Sequence, residues 1–292
     1  MTTAQALPRA ATRGKWTRFR SSLFQDYWAL AAVAFLALVV LAAIAAPLLV
    51  SGDVNKPDYG VRLKPPLTAG HPLGTDQLGR DVLDRLILGS RISVTVGFAS
   101  VVIAGVIGTL IGIIAAYYGG WIDSVLMRLA DVQLSFPFIL LALVINAIIG
   151  LGLRNIIITL VIAGWVEYAR IARGEILALR EREFVEAARV VGAGNGRIML
   201  RHLLPNIVTP IIVISTLQVA RFIVAEASIS FLGFGVQPPT PAWGSMISEG
   251  MEYIFAAWWL VTIPGLALAL VALAVNIAGD WLRDVLDPRL KV

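Results

Sequence analysis

Between Trp28 and Val50 the chain runs for 23 residues without a charge. A helix of about 20 apolar residues crosses the roughly 30 Å hydrocarbon core of a bilayer, so this stretch sets the solvent in which the chain folds. Composition agrees: of 292 residues 58% are hydrophobic and 15% charged, with a mean hydropathy of +0.81, against about 25% charged in soluble domains. The expected class is an all-α, polytopic membrane protein with one helical membrane domain.

Several chemistries are excluded at once. The sequence holds no cysteine, which removes disulfides, thiolate catalysis and cysteine-ligated zinc or iron–sulfur centres. His71 and His202 lie far apart without companion ligands, so no metal site is expected. The net charge of +5 is mostly arginine beside apolar spans, which fits the positive-inside rule better than nucleic-acid binding. Arg9, Arg13, Lys15, Arg18 and Arg20 precede the first span like the flank of a signal peptide, but 23 apolar residues exceed a cleaved signal core. Residues 1–27 are therefore read as a cytoplasmic segment and 28–50 as a retained first helix.

Residues 51–91 form a polar interlude with Pro57, Pro65, Pro66 and Pro72, read as an extracytoplasmic loop. From Asp76 onward Leu78, Val82, Leu83, Leu86 and Ile87 recur at helical spacing against Arg80, Asp81, Asp84 and Arg85. That pattern predicts an amphipathic helix, at the interface or solvated.

Residues 92–279 supply five more expected spans. Ile92–Tyr118 carries Ala104, Gly108, Gly112 and Ala116 at every fourth place, a small-residue stripe for close helix packing. Val132–Leu153 is interrupted by Pro137, and a turn follows at Gly150–Asn155. The next span is free of charge only over Asn155–Val166, and crosses only if Glu167 and Arg170 reach the headgroups. Asn206–Leu232 contains Arg221 and Glu226, and Tyr253–Gly279 should bend at Pro264-Gly265. Six spans place both termini on one side. Basic residues support the cytoplasmic side: five precede the first span, seven lie from Arg170 to Arg201 and three follow the sixth, in the tail 280–292. The loop 51–91 is the exception, with six basic residues offset by five aspartates.

The loop 170–205 holds REREFVEAARVVGAGNGRIMLRHLLPN, too polar to cross a bilayer and too regular for a structureless loop. Phe184, Ala187, Ala188 and Val191 fall on one helical face, with Arg182, Glu186 and Arg189 on another. The helix should break near Gly192, Gly194 and Gly196, restart through Ile198–Leu204 and stop at Pro205. Periodicity leaves two readings open, a knob that docks to a partner and a lid packed on its own subunit.

Glu186-Ala187-Ala188, three residues, Gly192, nine residues and then His202-Leu203-Leu204-Pro205 resembles the EAA motif of type I ABC importer permeases, with His202 in the usual isoleucine place. HPLGTDQLGRDVLDRLILGSR at 71–91, EASISFLGFGVQPPTPAWGSMI at 226–247 and GDWLRDVLDPRL at 279–290 are similar to the second, C-type permeases of dipeptide, oligopeptide and nickel importers. The resemblance covers nearly the whole chain from about residue 25. It implies that Glu186, Ala187, Ala188, Gly192, His202, Leu204 and Pro205 build a coupling helix seated on an ATPase. It also implies that five spans form half of a translocation path in a bacterial inner membrane. A homologous second permease, two ATPase subunits and an extracytoplasmic solute-binding protein would complete the importer.

No G-x-x-x-x-G-K-[ST] loop exists; Gly14-Lys15 is followed by Trp16. This chain is thus expected to bind no cofactor and to be no enzyme, with ATP and magnesium on partner subunits. Arg221 and Glu226, charged inside a span, mark either a pathway or polar partners within or between subunits. Five positions apart, they are not expected to pair with each other. Asn146, Gln218 and Asn276 are expected to make helix-to-helix hydrogen bonds. A proton-driven carrier using Glu167 and Glu226 is the rival class, but no internal repeat supports it. Cargo stays open among dipeptides, longer peptides, glutathione and nickel chelates.

Overall fold

A computed structural model describes residues 23–50 and 53–286; the basic residues from Arg9 to Arg20 and the end of the tail from 287 onward lie outside the described residues. The described chain is helical: α1 Tyr27–Leu49, α2 Val82–Tyr118, α3 Gly120–Leu134, α4 Phe138–Ile149, α5 Leu153–Leu179, α6 Glu183–Val190, α7 Asn195–Phe231, α8 Trp243–Met251 and α9 Trp259–Leu286. Five of these are long and apolar enough to cross a membrane; the bent pair α3–α4 brings the number to six if counted as one span.

The centre is the packing of α2 against α5. A Cβ added at Gly108 would stand 2.2 Å from the Trp165 carbonyl oxygen, and one at Gly112 would stand 2.3 Å from that of Ala169. Only glycine allows the two backbones so close. The expected stripe is therefore real, and it faces α5, with Ala104 and Ala116 fully buried on the same side. Tyr168 fills the space beside Gly105, and Phe222 of α7 closes against Gly164 of α5. The apolar core forms three clusters, which include Trp243 and Trp259, Tyr168 and Phe222, and Ile176 and Ile207.

Four expectations are corrected. No separate interfacial helix begins at Asp76: Asp81 caps α2 by accepting from the Leu83 and Asp84 amides at 2.8 and 3.1 Å, and one helix runs from Val82 through the assumed boundary at 91/92 to Tyr118. Part of the supposed polar face is buried: Arg80 and Arg85 are almost wholly enclosed, whereas Asp81 and Asp84 stay half-buried. Asp76 Oδ2 accepts from Arg80 Nε at 2.6 Å and Arg85 Nη1 at 3.1 Å, and Glu249 of α8 accepts from both guanidinium groups at 3.0 Å. These charges hold the loop to α8 instead of facing headgroups. Alternation of charge with leucine reads the same whether the charges meet water or each other.

The expected span Val132–Leu153 is instead two helices bent by 95° at Ser135–Pro137. α4 has 12 residues, roughly 18 Å at about 1.5 Å per residue, too short to cross alone. Neither α3 nor α8 is among the expected elements. Thirdly, α5 is continuous to Leu179, and Glu167 and Arg170 do not reach for headgroups: they pair with Arg221 and Asp131. Finally the last span begins at Trp259 and runs past Gly279 to Leu286, with Pro264 inside it.

Two stability tests follow. Gly108→Val must push α2 off α5, an overpacking cost of about 1–3 kcal/mol or more, and should lower the unfolding midpoint in detergent. Gly174→Ala, in open space on α5, should leave the midpoint unchanged or raise it by up to about 1 kcal/mol. Asp76→Ala strips two buried guanidinium groups of one partner and should cost about 3–5 kcal/mol. Glu249→Ala, at a partner 25% exposed, should cost less in the same measurement.

Candidate functional site

Two regions carry the predicted site residues, one at an end of the helical bundle and one inside the membrane domain. The first is α6, two turns long, with Glu183 and Glu186 in its first turn and Arg189 in its last. This charge order suits the helix dipole at both ends. Val185 and Ala188 point inward among Ile113, Ile176, Ile198, Leu203 and Ile207. Phe184, Val190 and Val191 are 41%, 87% and 86% exposed, and Glu186 and Ala187 are exposed beside them.

The apolar face whose direction periodicity leaves open points mostly outward. Of Phe184, Ala187, Ala188 and Val191, only Ala188 is buried. The inward stripe is the pair Val185 and Ala188, since a two-turn helix resting on one side needs only an i, i+3 contact. An apolar patch flanked by Glu186 and Arg189 is left facing away from the subunit.

Gly192 ends α6 for a conformational reason. Its φ is +83°, its N–H donates to the Arg189 carbonyl at 2.9 Å and the Ala193 N–H to that of Ala188 at 3.0 Å. This is a Schellman closure, which needs a left-handed residue that only glycine adopts without strain. The motif's glycine is therefore a helix stop. Gly194 precedes the restart at Asn195, whereas Gly196 lies within the new helix.

Pro205 does not stop that helix, contrary to expectation. From Ile198 to Leu203 the backbone widens to π geometry, with the Leu204 N–H reaching the Met199 carbonyl five residues back. The wider turn accommodates a residue without an N–H, and α7 continues to Phe231. His202 and Leu204 are half-buried and Pro205 is exposed. α6 is tied to the end of α2 by residues not singled out in the sequence: Tyr117 Oη donates to Asn195 Oδ1 at 2.9 Å, and the Arg189 guanidinium lies 5.7 Å over the Tyr117 ring.

The second region separates Arg221 from Glu226. Glu226 is fully buried, accepting from Ser93 Oγ at 3.1 Å and Ser230 Oγ at 2.7 Å. Arg221 turns to the open side: its side chain is 61% exposed, and Nη1 donates to both carboxylate oxygens of Glu167 at 2.5 and 2.7 Å. Gln218 bridges the pair, donating to Glu167 at 2.9 Å and accepting from Arg221 at 3.2 Å. Gln218 thus makes the expected bond between helices, whereas Asn146 Nδ2 donates to Ala142 of its own helix. Beside Glu167, Gln218 and Arg221 lies a cavity of about 470 Å³, reached also by Phe138, Ser228 and Asn276. Further along α5, Arg170 meets Asp131 at 2.5 Å and Arg173 meets Asp123 at 2.5 Å, both aspartates on α3. Glu167, Arg170 and Arg173 are spaced by three along α5, a signal in the sequence whose partners stayed hidden with α3.

The comparisons with known proteins agree with this geometry. Residues 108–292 match the model of the binding-protein-dependent transport system inner membrane component, and residues 14–66 match the N-terminal transmembrane domain of oligopeptide transport permease C. A putative peptide transport system permease protein of Brucella suis is 45% identical, over 88% of this chain and 86% of its own. A dipeptide transport system permease protein of Alkalihalophilus pseudofirmus is 42% identical over 94% of this chain and 90% of its own. A glutathione transport system permease protein of Pectobacterium atrosepticum is 40% identical over 96% of this chain and 93% of its own. Among solved structures, an inward-facing conformation of the MetNI methionine ABC transporter shares the fold with a TM-score of 0.56 at 20% identity, covering 70% of this chain and 97% of that one. With a two-turn helix presented at the rim, an arginine facing a half-open cavity and a family match over residues 108–292, the chain belongs to the inner membrane components of binding-protein-dependent transport systems.

Proposed function

We propose that this chain is one permease half of an ATP-driven importer of short peptides, receiving its drive through α6. The observation that carries the reading is the outward apolar patch Phe184, Ala187, Val190 and Val191 on a helix rigidly stopped at Gly192 and packed by Val185 and Ala188. A soluble surface gains nothing from such a patch, and a cleft on an ATPase covers it. The patch favours docking over a lid closed on its own subunit. In this reading the partners are a homologous second permease, two ATPase subunits that hold ATP and magnesium, and an extracytoplasmic binding protein.

Mechanically, α6 rests on α2, α5 and the start of α7, so a displacement of α6 is passed to α7 without an intervening loop longer than residues 191–194. Moving a gate from about 1:99 to 99:1 takes roughly 5.5 kcal/mol of differential binding, within reach of nucleotide-driven closure of two ATPases. Cargo of the peptide class follows the relatives at 42–45% identity; the glutathione permease at 40% favours a second reading, the same machine carrying that tripeptide.

In vesicles holding the whole complex, Glu186→Lys and Ala187→Arg should each cut ATP-dependent uptake at least tenfold while the chain still inserts; wild-type uptake in both would sink the coupling role. Ala188→Leu should act differently, lowering the unfolding midpoint of the isolated subunit because its side chain points into the core. Uptake should follow ATP and not an imposed proton gradient. Orientation is testable directly, since the chain has no cysteine of its own. Val190→Cys should label only from the cytoplasm and Phe255→Cys, fully exposed before α9, only from outside. The reverse pattern would invert the assigned topology.

A further inference from the structure

We infer that Arg221 is a transit site for the carboxylate of the transported solute, with Glu167 as the counter-ion that holds the guanidinium when the pathway is empty. This deepens the importer reading and rests on it.

Position comes first. Arg221 lies ten residues before the end of α7 at Phe231, roughly 15 Å at about 1.5 Å per residue, and far from the cytoplasmic start at Asn195. That depth is inside the hydrocarbon layer. An arginine 61% exposed there cannot face lipid without a large cost, so this side of α7 faces water or a polar partner. The subunit's other large groove gives the contrast: it is bordered by Phe98, Val102, Val106, Leu110 and Ile212, with hydroxyls as its only polar side chains. Two sizeable cavities carry charge, the one at Glu167, Gln218 and Arg221 and a smaller one of about 330 Å³ at Asp131, Arg170 and Arg173; the larger, walled by α4, α5, α7 and α9, is the half-pathway in this reading.

Chemistry comes second. Among the described residues every hydrogen bond of Arg221 goes through Nη1, to Glu167 and Gln218. Nε and Nη2 make none there on a side chain 61% exposed, and a guanidinium edge with two such donors is the geometry that takes a carboxylate in bidentate fashion. Glu167 is fixed from two sides, by Arg221 and by Gln218 Nε2, so it can keep Arg221 neutralised without occupying those donors. The empty site is then electrically balanced, and an anionic group can leave it without stranding a cation in the membrane. A site that must release its cargo needs that balance, because a lone cation at this depth would retain an anion.

A purely structural ion pair makes the opposite prediction for the double variant, which allows a clean test. The complete transporter is reconstituted in proteoliposomes, and uptake of radiolabelled dialanine is measured with saturating loaded binding protein, alongside the ATPase rate that this protein stimulates. Arg221→Gln should cut maximal uptake at least tenfold, Glu167→Gln should lower it as well because the unbalanced cation retains its anion, and the double variant should stay as low as Arg221→Gln, with stimulated ATPase within about twofold of wild type throughout. If the pair is structural, both single variants strand a charge and fall alike, while the double variant recovers; that pattern overturns the inference. So does wild-type uptake by Arg221→Gln. Loss of stimulated ATPase in Arg221→Gln also overturns it, since the residue would then hold the assembly together. A wild-type complex that hydrolyses ATP but accumulates no dialanine overturns the peptide reading and this inference with it. Dialanine uptake by wild type with recovery in the double variant overturns the inference alone.

Discussion

In hydrocarbon a helix gains little by hiding leucine from its surroundings, so the near contact of the α2 and α5 backbones at Gly108 and Gly112 is the constraint from which the rest of this subunit is built. Dispersion between closely packed backbones replaces the hydrophobic effect as the source of cohesion. Once α2 and α5 are joined, Tyr168 and Phe222 set where α7 must lie. The end of α2 then fixes α6 through Tyr117, Asn195 and Arg189. At the opposite end Asp76, Arg80, Arg85 and Glu249 clamp the loop before α2 onto α8. Ions in this molecule do two different jobs. The clamp is largely buried, with Glu249 its one partly exposed member, whereas the Glu167–Arg221 pair is open on one side.

The link between rim and membrane is continuous. α6 has no stability of its own, since two turns are far below the length at which an isolated helix persists in water. It exists because Val185 and Ala188 complete the cluster around Ile176, Ile198 and Ile207. A force on its outer face is therefore a force on that cluster. The π turn from Ile198 to Leu203 then allows Pro205 to sit inside α7 without ending it, so the segment after the Schellman glycine passes unbroken into the wall of the cavity that Arg221 faces.

Local patterns with a single physical meaning were legible in the sequence. Uncharged length identified α1, α2 and α9, the small stripe on α2 identified a packing face, and the glycine after Glu186-Ala187-Ala188 marked a helix end. Patterns with two meanings misled. Charges alternating with leucine from Leu78 to Arg85 suggested a wet face and proved to be an internal ion cluster, because their partner Glu249 lies 164 residues beyond Arg85. The apolar face of α6 had no legible direction, because the area carried by Phe184 and Val191 says nothing about whether the neighbour is this chain or another. α3 escaped because its apolar stripe is interrupted by Asp123, Arg128 and Asp131, two of which are answered by arginines of α5.

The fate of Arg221 and Glu226 shows what side chains five apart on one helix can do. Five residues turn about 500° at 100° per residue, leaving the two directions some 140° apart, so if one faces the core the other faces away from it. Glu226 turns into the subunit, where Ser93 and Ser230 supply hydroxyl donors and no cation is present within hydrogen-bond reach. Arg221, on the other side, takes its carboxylate from α5. Had the two paired with each other, the guanidinium would be lost to the cavity and the Glu167 carboxylate there would stand without its cation. The separation of the two residues is what lets Glu167 of α5 and Arg221 of α7 balance each other on the open wall of the subunit while Glu226 stays closed off inside it.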